Sequence, residues 1–115
     1  MRIVRFDASA GRSIDAFGSR NATLSPLMGA DDAARTVCIH LAAGGEIAEH
    51  AAMAVQLFCV VSGEGWVSGG DGRRHPIGPL QAAHWSSGEL HAVGTDGGLV
   101  AFVIEGSFEV VASPA

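Results

Sequence analysis

Glycine residues divide this chain into short apolar runs at fairly even intervals, and this spacing limits the folds that the sequence can adopt. The chain has 115 residues, of which 16 are glycine and 48% are hydrophobic. Short apolar runs separated by turn residues are typical of an all-β sandwich or barrel. We therefore predict an all-β fold, and the length allows one domain that spans residues 1–115.

The predicted strands are the apolar runs between these turns. They comprise residues 2–6, 36–42, 46–51, 56–62, 65–68, 74–77, 81–85, 91–94, 99–104 and 107–111. The pair Asp71-Gly72 tolerates positive φ and marks the clearest hairpin turn. A short helix is an alternative at residues 28–35 and at residues 49–56, although the β-branched and aromatic run that follows the second favours strands there.

The charge balance and the hydropathy pattern exclude several classes of partner. The chain has 7 Lys plus Arg against 12 Asp plus Glu, a net charge of −5, so we expect no nucleic-acid partner. The longest apolar run, residues 51–61, contains Gln56 and is shorter than the about 20 residues of a membrane-spanning helix. Because the N-terminus has no stretch that resembles a signal peptide, we expect a cytoplasmic protein without a membrane partner. Cys38 and Cys59 lie in apolar runs and are expected to be free, buried thiols.

One histidine stands at a fixed place in a glycine pattern. Residues 44–65 (GGEIAEHAAMAVQLFCVVSGEG) resemble the first motif of the cupins. In that family the motif has a glycine, a histidine after five residues, a second histidine two positions later, then a glutamate and a final glycine. Gly44, His50 and Gly63 occupy the positions of the first glycine, the first histidine and the last glycine.

A second histidine closes the corresponding downstream pattern. Residues 78–91 (GPLQAAHWSSGELH) resemble the second cupin motif, with Gly88 and His91 at its end. The resemblance covers about residues 36–110 and leaves residues 1–35 as an N-terminal strand or arm. It implies a small double-stranded β-helix, which is a jelly-roll barrel, commonly homodimeric, with a site in the barrel mouth.

The resemblance also implies a metal site. In metal-bearing cupins, the three ligands of the first motif and the histidine of the second hold one divalent ion such as Fe, Mn, Ni, Cu or Zn. Only His50, Gln56 and His91 occupy ligand positions here, because Ala52 replaces the second histidine and Gln56 replaces the glutamate. Without one imidazole and one negative charge, we expect the ion to be weakly held or absent. Three residues are candidates for the missing ligand: His40, His84 and Glu49.

Two classes of function follow from this pattern. The first is an enzyme that acts on a small, largely apolar molecule in the barrel mouth, by metal-assisted or histidine acid/base chemistry such as oxidation, isomerisation or cyclisation. His50 and His91 would be its catalytic residues. An acid/base mechanism of the epimerase type uses a tyrosine acid, and this chain has no tyrosine, so another histidine or a carboxylate would supply the proton.

The second class is a module that binds a small molecule or a metal without turnover. A simpler alternative is that the two histidines only bind each other or a water. For either functional class, the predicted ligand-binding residues are Gln56, Phe58, His84 and Trp85. Trp85 is included because its indole N–H can serve a polar group at the rim.

Overall fold

The computed structural model describes residues 1, 2, 4, 5, 7–28 and 34–114, which form an antiparallel β architecture. The strands in these residues are β1 (Arg12–Ser13), β2 (Arg20–Met28), β3 (Ala34–Ala51), β4 (Val55–Gly63), β5 (Gly65–Ser68), β6 (Arg74–Ile77), β7 (Ala82–Trp85), β8 (Leu90–Gly94) and β9 (Leu99–Gly106). Two single 3-10 turns, Ala8–Ala10 and Ala16–Gly18, lie on either side of β1. Within the described part of the chain, no helix is long and apolar enough to cross a membrane.

The long strand β3 organises the sheet, whose strands follow the order β6-β5-β8-β3-β9-β4-β7. Its first half pairs with β2 and β9, and its last residues pair with β8. The change of partner falls at Gly44 and Gly45. Gly44 has a φ of 72°, and a Cβ on Gly45 would lie 2.8 Å from two backbone oxygens. The two glycines therefore let one strand bend from one set of partners to the other.

The core lies between the inner faces of these strands. Along β4, Gln56, Phe58 and Val60 are buried, whereas the alternate residues are more exposed. This is the period of two that places successive side chains on opposite faces of a sheet. The same inner surface receives buried side chains of β3, β8 and β9, among them Val37, Ile39, Leu41, Val93, Leu99 and Ala101. The cavity described below opens from this core.

The all-β prediction is confirmed, and most predicted strands match the observed ones. Residues 65–68 and 74–77 match β5 and β6, and four further predicted strands agree with β4, β7, β8 and β9 to within two residues. The predicted strands 36–42 and 46–51 are parts of the single strand β3. Both cysteines are free as expected, Cys38 buried and Cys59 half-buried, and burial raises the pKa of each thiol.

Other secondary-structure predictions are wrong. Residues 107–111 form no strand, and neither do residues 2, 4 and 5 of the predicted strand 2–6, whose positions 3 and 6 lie outside the described residues. The alternative helix at 49–56 is absent, since its residues belong to β3, β4 and the turn between them. Of the alternative helix at 28–35, residues 28, 34 and 35 belong to strands, and residues 29–33 lie outside the described part. The sequence pattern also missed β2, whose apolar residues are separated by polar residues and a proline.

Candidate functional site

His50 and His91 meet on neighbouring strands. They are register partners in the antiparallel pair of β3 and β8, and their ring centroids lie 4.3 Å apart. His50 is half-buried and His91 is 3% exposed. The sequence predicted both residues for one site, and the fold places them side by side.

Each imidazole is held in one tautomer by its own strand. Nδ1 of His50 lies 2.9 Å from the carbonyl oxygen of Ala48, and Nδ1 of His91 lies 3.2 Å from that of Glu89. A carbonyl oxygen only accepts hydrogen bonds, so each Nδ1 carries the proton and donates it. In the neutral ring, Nε2 is then an acceptor, and neither Nε2 has a hydrogen-bond partner among the described residues.

The electrostatic surroundings of His91 favour its neutral form. Burial is the largest influence on this imidazole and lowers its pKa below 6.5, since the charged ring would lose hydration. The nearby His50 ring lowers the pKa of His91 further, whereas the Glu89 carbonyl and the carboxylates of Glu89 and Glu105 act in the opposite direction. At neutral pH, His91 therefore presents an unprotonated Nε2.

Aromatic rings extend this pair in both directions. Phe17 stacks on His50 with ring centroids 4.6 Å apart and planes within 5°, and Trp85 lies 4.4 Å from His91. Phe58 follows Trp85 at 6.1 Å. The row runs from the exposed Phe17, at 63% exposure, to the buried Phe58, at 2%. Phe17 has a φ of 62°, a left-handed conformation that is uncommon for a residue with a side chain.

The predicted role of the Trp85 indole N–H differs from its position in the structure. This group donates a hydrogen bond to the Ser68 carbonyl oxygen at 3.1 Å, within the protein interior. It is therefore already paired. Trp85 contributes the face of its ring, not its N–H, to the surroundings of His91.

These residues border a cavity of about 270 Å³ inside the barrel. Most of its wall is aliphatic or aromatic, and its polar lining comes from His50, His91, Gln56, Arg35 and Glu105. The remaining lining residues are Ile14, Phe17, Leu24, Val37, Ile39, Ile47, Ala51, Met53, Phe58, Trp85, Val93 and Val103. A mostly apolar cavity with few polar groups is the usual form of a small-molecule site.

A hydrogen-bonded triad forms one polar side of this cavity. Glu105 is the register partner of Arg35 on β3 and of Gln56 on β4. Its carboxylate accepts from Gln56 Nε2 at 2.6 Å and from Arg35 Nε at 3.0 Å. Since the amide nitrogen of Gln56 faces Glu105, its oxygen is left as an acceptor. The sequence reasoning missed Arg35 and Glu105, which end an apolar strand pair and carry no motif.

The other predicted site residues do not share this cavity. His84 is exposed and lines a separate groove that includes His75 and Glu89, because it alternates with the inward-facing Trp85 along β7. His40 lines another pocket on the outside of β3, and Glu49 is exposed. Of the six residues predicted to act or bind, the cavity brings together His50, Gln56, Phe58, Trp85 and His91.

The donors at this site do not fit a divalent transition metal. Among the described residues, no three His, Cys, Asp or Glu side chains are placed to hold a metal ion. Two imidazoles and the neutral amide oxygen of Gln56 face the cavity, and the buried Ala52 has no donor atom in place of a histidine. First-row metals that bind through imidazole need further donors at such a site.

Comparison with solved structures shows the same architecture in proteins of low sequence identity. A predicted oxalate decarboxylase from Thermotoga maritima superposes with a TM-score of 0.78 at 16% identity, over 91% of this chain and 100% of that one. The polyketide cyclase RemF from Streptomyces resistomycificus gives 0.71 at 17% identity, over 96% and 89%. An uncharacterized conserved protein with a double-stranded β-helix domain from Klebsiella pneumoniae gives 0.71 at 22% identity, over 92% and 90%.

Sequence comparison adds no closer assignment, since no protein-family model and no curated protein matches the chain. The structural matches include proteins described as members of the cupin superfamily and as RmlC-like cupins. They agree with the glycine and histidine pattern that predicted this architecture. The chain therefore has the cupin fold, an antiparallel double-stranded β-helix barrel.

Proposed function

We propose that the protein binds a small, largely apolar molecule in the barrel cavity and that His50 and His91 act on it by proton transfer. One observation carries this proposal: two imidazoles with Nδ1 held by backbone carbonyls lie side by side on an apolar cavity. In the neutral rings, each Nε2 is available to accept a proton from a bound molecule.

The short distance between the two rings favours one proton on the pair over two. At 4.3 Å between centroids, two imidazolium ions would repel each other, so the pair accepts a single proton. That proton leaves an O–H or C–H group of the ligand, whose bonding electrons stay on the ligand. Return of the same proton at another ligand atom completes an isomerisation, or a ring closure that shifts a proton, with no change in oxidation state.

The structural relatives support small-molecule chemistry in a barrel of this kind. One of them is a polyketide cyclase and another is a predicted oxalate decarboxylase. Their identity to this chain is low, so they support the type of site rather than a particular substrate.

A second candidate function is binding without turnover. It is favoured by Ala52 and Gln56, which stand at two of the positions where metal-bearing cupins have ligands. The two candidates are distinguished by hydrogen exchange in deuterated solvent, in which deuterium replaces a C–H proton of the bound ligand. Exchange that requires His50 or His91 supports proton transfer, whereas binding without exchange supports the second candidate.

Binding itself is tested by NMR of the two tryptophan indoles, with beta-naphthol as the probe. Trp85 borders the cavity, whereas Trp66 lies outside it, where Arg74 packs over its ring at 3.7 Å. We expect a saturable shift of the Trp85 indole signal and an unchanged Trp66 signal, assigned through Trp66→Phe. Weaker binding to His50→Ala would place the probe beside the imidazoles. The proposal fails if no saturable shift occurs or if Trp66 responds as strongly as Trp85.

A further inference from the structure

We propose that this cavity selects neutral molecules that carry a hydrogen-bond donor, such as a phenol or an alcohol, over carboxylates and over ligands that only accept. The inference rests on the proposed function, and it names the class of ligand. It follows from which polar groups of the cavity are already paired and which are left for a ligand.

Apart from the Arg35 guanidinium, whose side chain is 49% exposed and whose Nε donates to Glu105, the unpaired polar atoms that line the cavity are acceptors. They are Nε2 of His50, Nε2 of His91 and the side-chain oxygen of Gln56, whose nitrogen donates to Glu105. The Trp85 indole N–H, which would be a donor, is bonded to Ser68. A ligand O–H can donate to one of these acceptors, whereas an ether or ketone oxygen would face acceptors only. Burial of acceptors without a donor is costly.

The charges at the cavity also disfavour an anion. The Arg35 guanidinium is a cation at its wall, and it is paired with Glu105 at 3.0 Å. The carboxylate of Glu105 is held on its other side by Gln56. A ligand carboxylate would therefore lose its hydration and meet a negative group and two neutral acceptors, with no unpaired cation among the described lining residues.

The size of the cavity limits the apolar part of the ligand. Liquid water occupies about 30 Å³ per molecule. The cavity of about 270 Å³ therefore has room for a molecule of roughly ten non-hydrogen atoms, about a two-ring aromatic. Its wall of aliphatic and aromatic side chains matches such a body, and the polar groups lie at His50, His91 and Gln56.

Three naphthalenes of matched shape test the donor requirement by titration calorimetry of the wild-type protein. Beta-naphthol carries a donor, its methyl ether only accepts, and beta-naphthoate is an anion. We expect the naphthol to bind at least about tenfold more tightly than the ether, in line with the cost of an unpaired buried polar group. The naphthoate is expected to bind more weakly than the naphthol by at least about tenfold as well.

A pair of isosteric variants tests the electrostatic part. Glu105→Gln removes the negative charge that pairs with Arg35, so naphthoate binding should strengthen several-fold relative to naphthol binding. Glu64→Gln makes the same chemical change at an exposed position outside the cavity and should leave both affinities unchanged. If the ratio of the naphthoate affinity to the naphthol affinity is the same in Glu105→Gln as in the wild type, the role given to the carboxylate is wrong.

The outcomes separate this inference from the proposed function. If the methyl ether binds within about tenfold of the naphthol, the donor requirement is wrong, and if the naphthoate does so, the selection against anions is wrong, although in both cases the cavity is still a binding site. If none of the three compounds binds, the proposed function is wrong and the inference with it. Tight binding of the naphthol alone supports both.

Discussion

Replacement of Gln56 by glutamate should destabilise the protein strongly at neutral pH and weakly in acid. The substitution Gln56→Glu keeps the shape of the side chain and replaces its N–H donor by a carboxylate oxygen that faces Glu105. The distance between the two polar atoms is 2.6 Å in the wild type. Two unit charges at that separation repel by about 6 kcal/mol at an effective dielectric constant of about 20.

The variant has a less costly alternative, which sets the expected magnitude. The introduced carboxyl group can take up a proton and donate it to Glu105. Protonation of a glutamic acid side chain with an ordinary pKa of about 4.3 costs about 3.7 kcal/mol at pH 7. The hydrogen bond restored in this way recovers part of that cost, so we expect the free energy of unfolding to fall by about 2–4 kcal/mol.

The pH dependence of this loss has a definite sign. In the folded variant the introduced carboxyl group binds a proton more tightly than in the unfolded chain. Its contribution to stability is therefore present below the unfolded pKa of about 4.3 and is lost as the pH rises toward neutrality. Urea unfolding at pH 7 and near pH 4.5 should show a difference from the wild type that is large at the first pH and small at the second.

A second glutamine provides the matched control. The side-chain oxygen of Gln81 accepts from the backbone N–H of Gly78 at 2.9 Å, so Gln81→Glu keeps the acceptor that this bond uses. It should change the free energy of unfolding by less than about 0.5 kcal/mol. The reasoning is refuted if Gln56→Glu is as stable as the wild type at pH 7, or if its loss of stability is the same at both pH values.

Three further predictions concern packing, titration and ligand restoration. A Cβ on Gly94 would lie 2.5 Å from ring atoms of Trp66, so Gly94→Ala should lower the free energy of unfolding by about 1–3 kcal/mol, and Gly97→Ala, in open space, by less than about 0.5 kcal/mol. NMR titration should give His91 a pKa below 6.5. The contribution of the neutral His91 ring to the free energy of unfolding should be present above pH 6.5 and should be lost as the pH falls toward the lowered pKa. The double variant Ala52→His/Gln56→Glu should bind Ni²⁺ or Zn²⁺ more tightly than the wild type, as measured by titration calorimetry. Equal affinities would contradict the ligand positions taken from the cupin motifs.

The sequence was sufficient to predict the fold class and the meeting of two histidines. Glycine spacing identified the strands, because turns that need positive φ or close approach tolerate few other residues. The motif positions of His50 and His91 lie on strands that pair in register in this fold. A local motif of this kind indicates which distant strands pair only because it resembles a motif of a known fold. Periodicity alone does not reveal which strands become neighbours.

Other parts of the site depend on pairings that one sequence does not encode visibly. Glu105 and Arg35 meet because β9 and β3 pair in a particular register, and no spacing along the chain indicates it. The placement of His84 shows a different limit. Its neighbour Trp85 is the larger apolar side chain and takes the inward position on β7, so alternation turns His84 to the outside. Weighing these two neighbours against each other would have assigned His84 correctly to the exposed face.

One of the two departures from the cupin ligand pattern, Gln56, is explained by its contact with Glu105. A glutamate at position 56 would face the carboxylate of Glu105, whereas the amide of Gln56 donates to it at 2.6 Å. The carboxylate also satisfies Arg35, so the amide, the carboxylate and the guanidinium form one neutralised polar unit. A cation is therefore already paired with this carboxylate, and the buried Ala52 has no donor atom that could bind a dication. Gln56, whose neutral amide weakens a metal site, therefore also supplies one of the acceptors for a neutral ligand with a donor group.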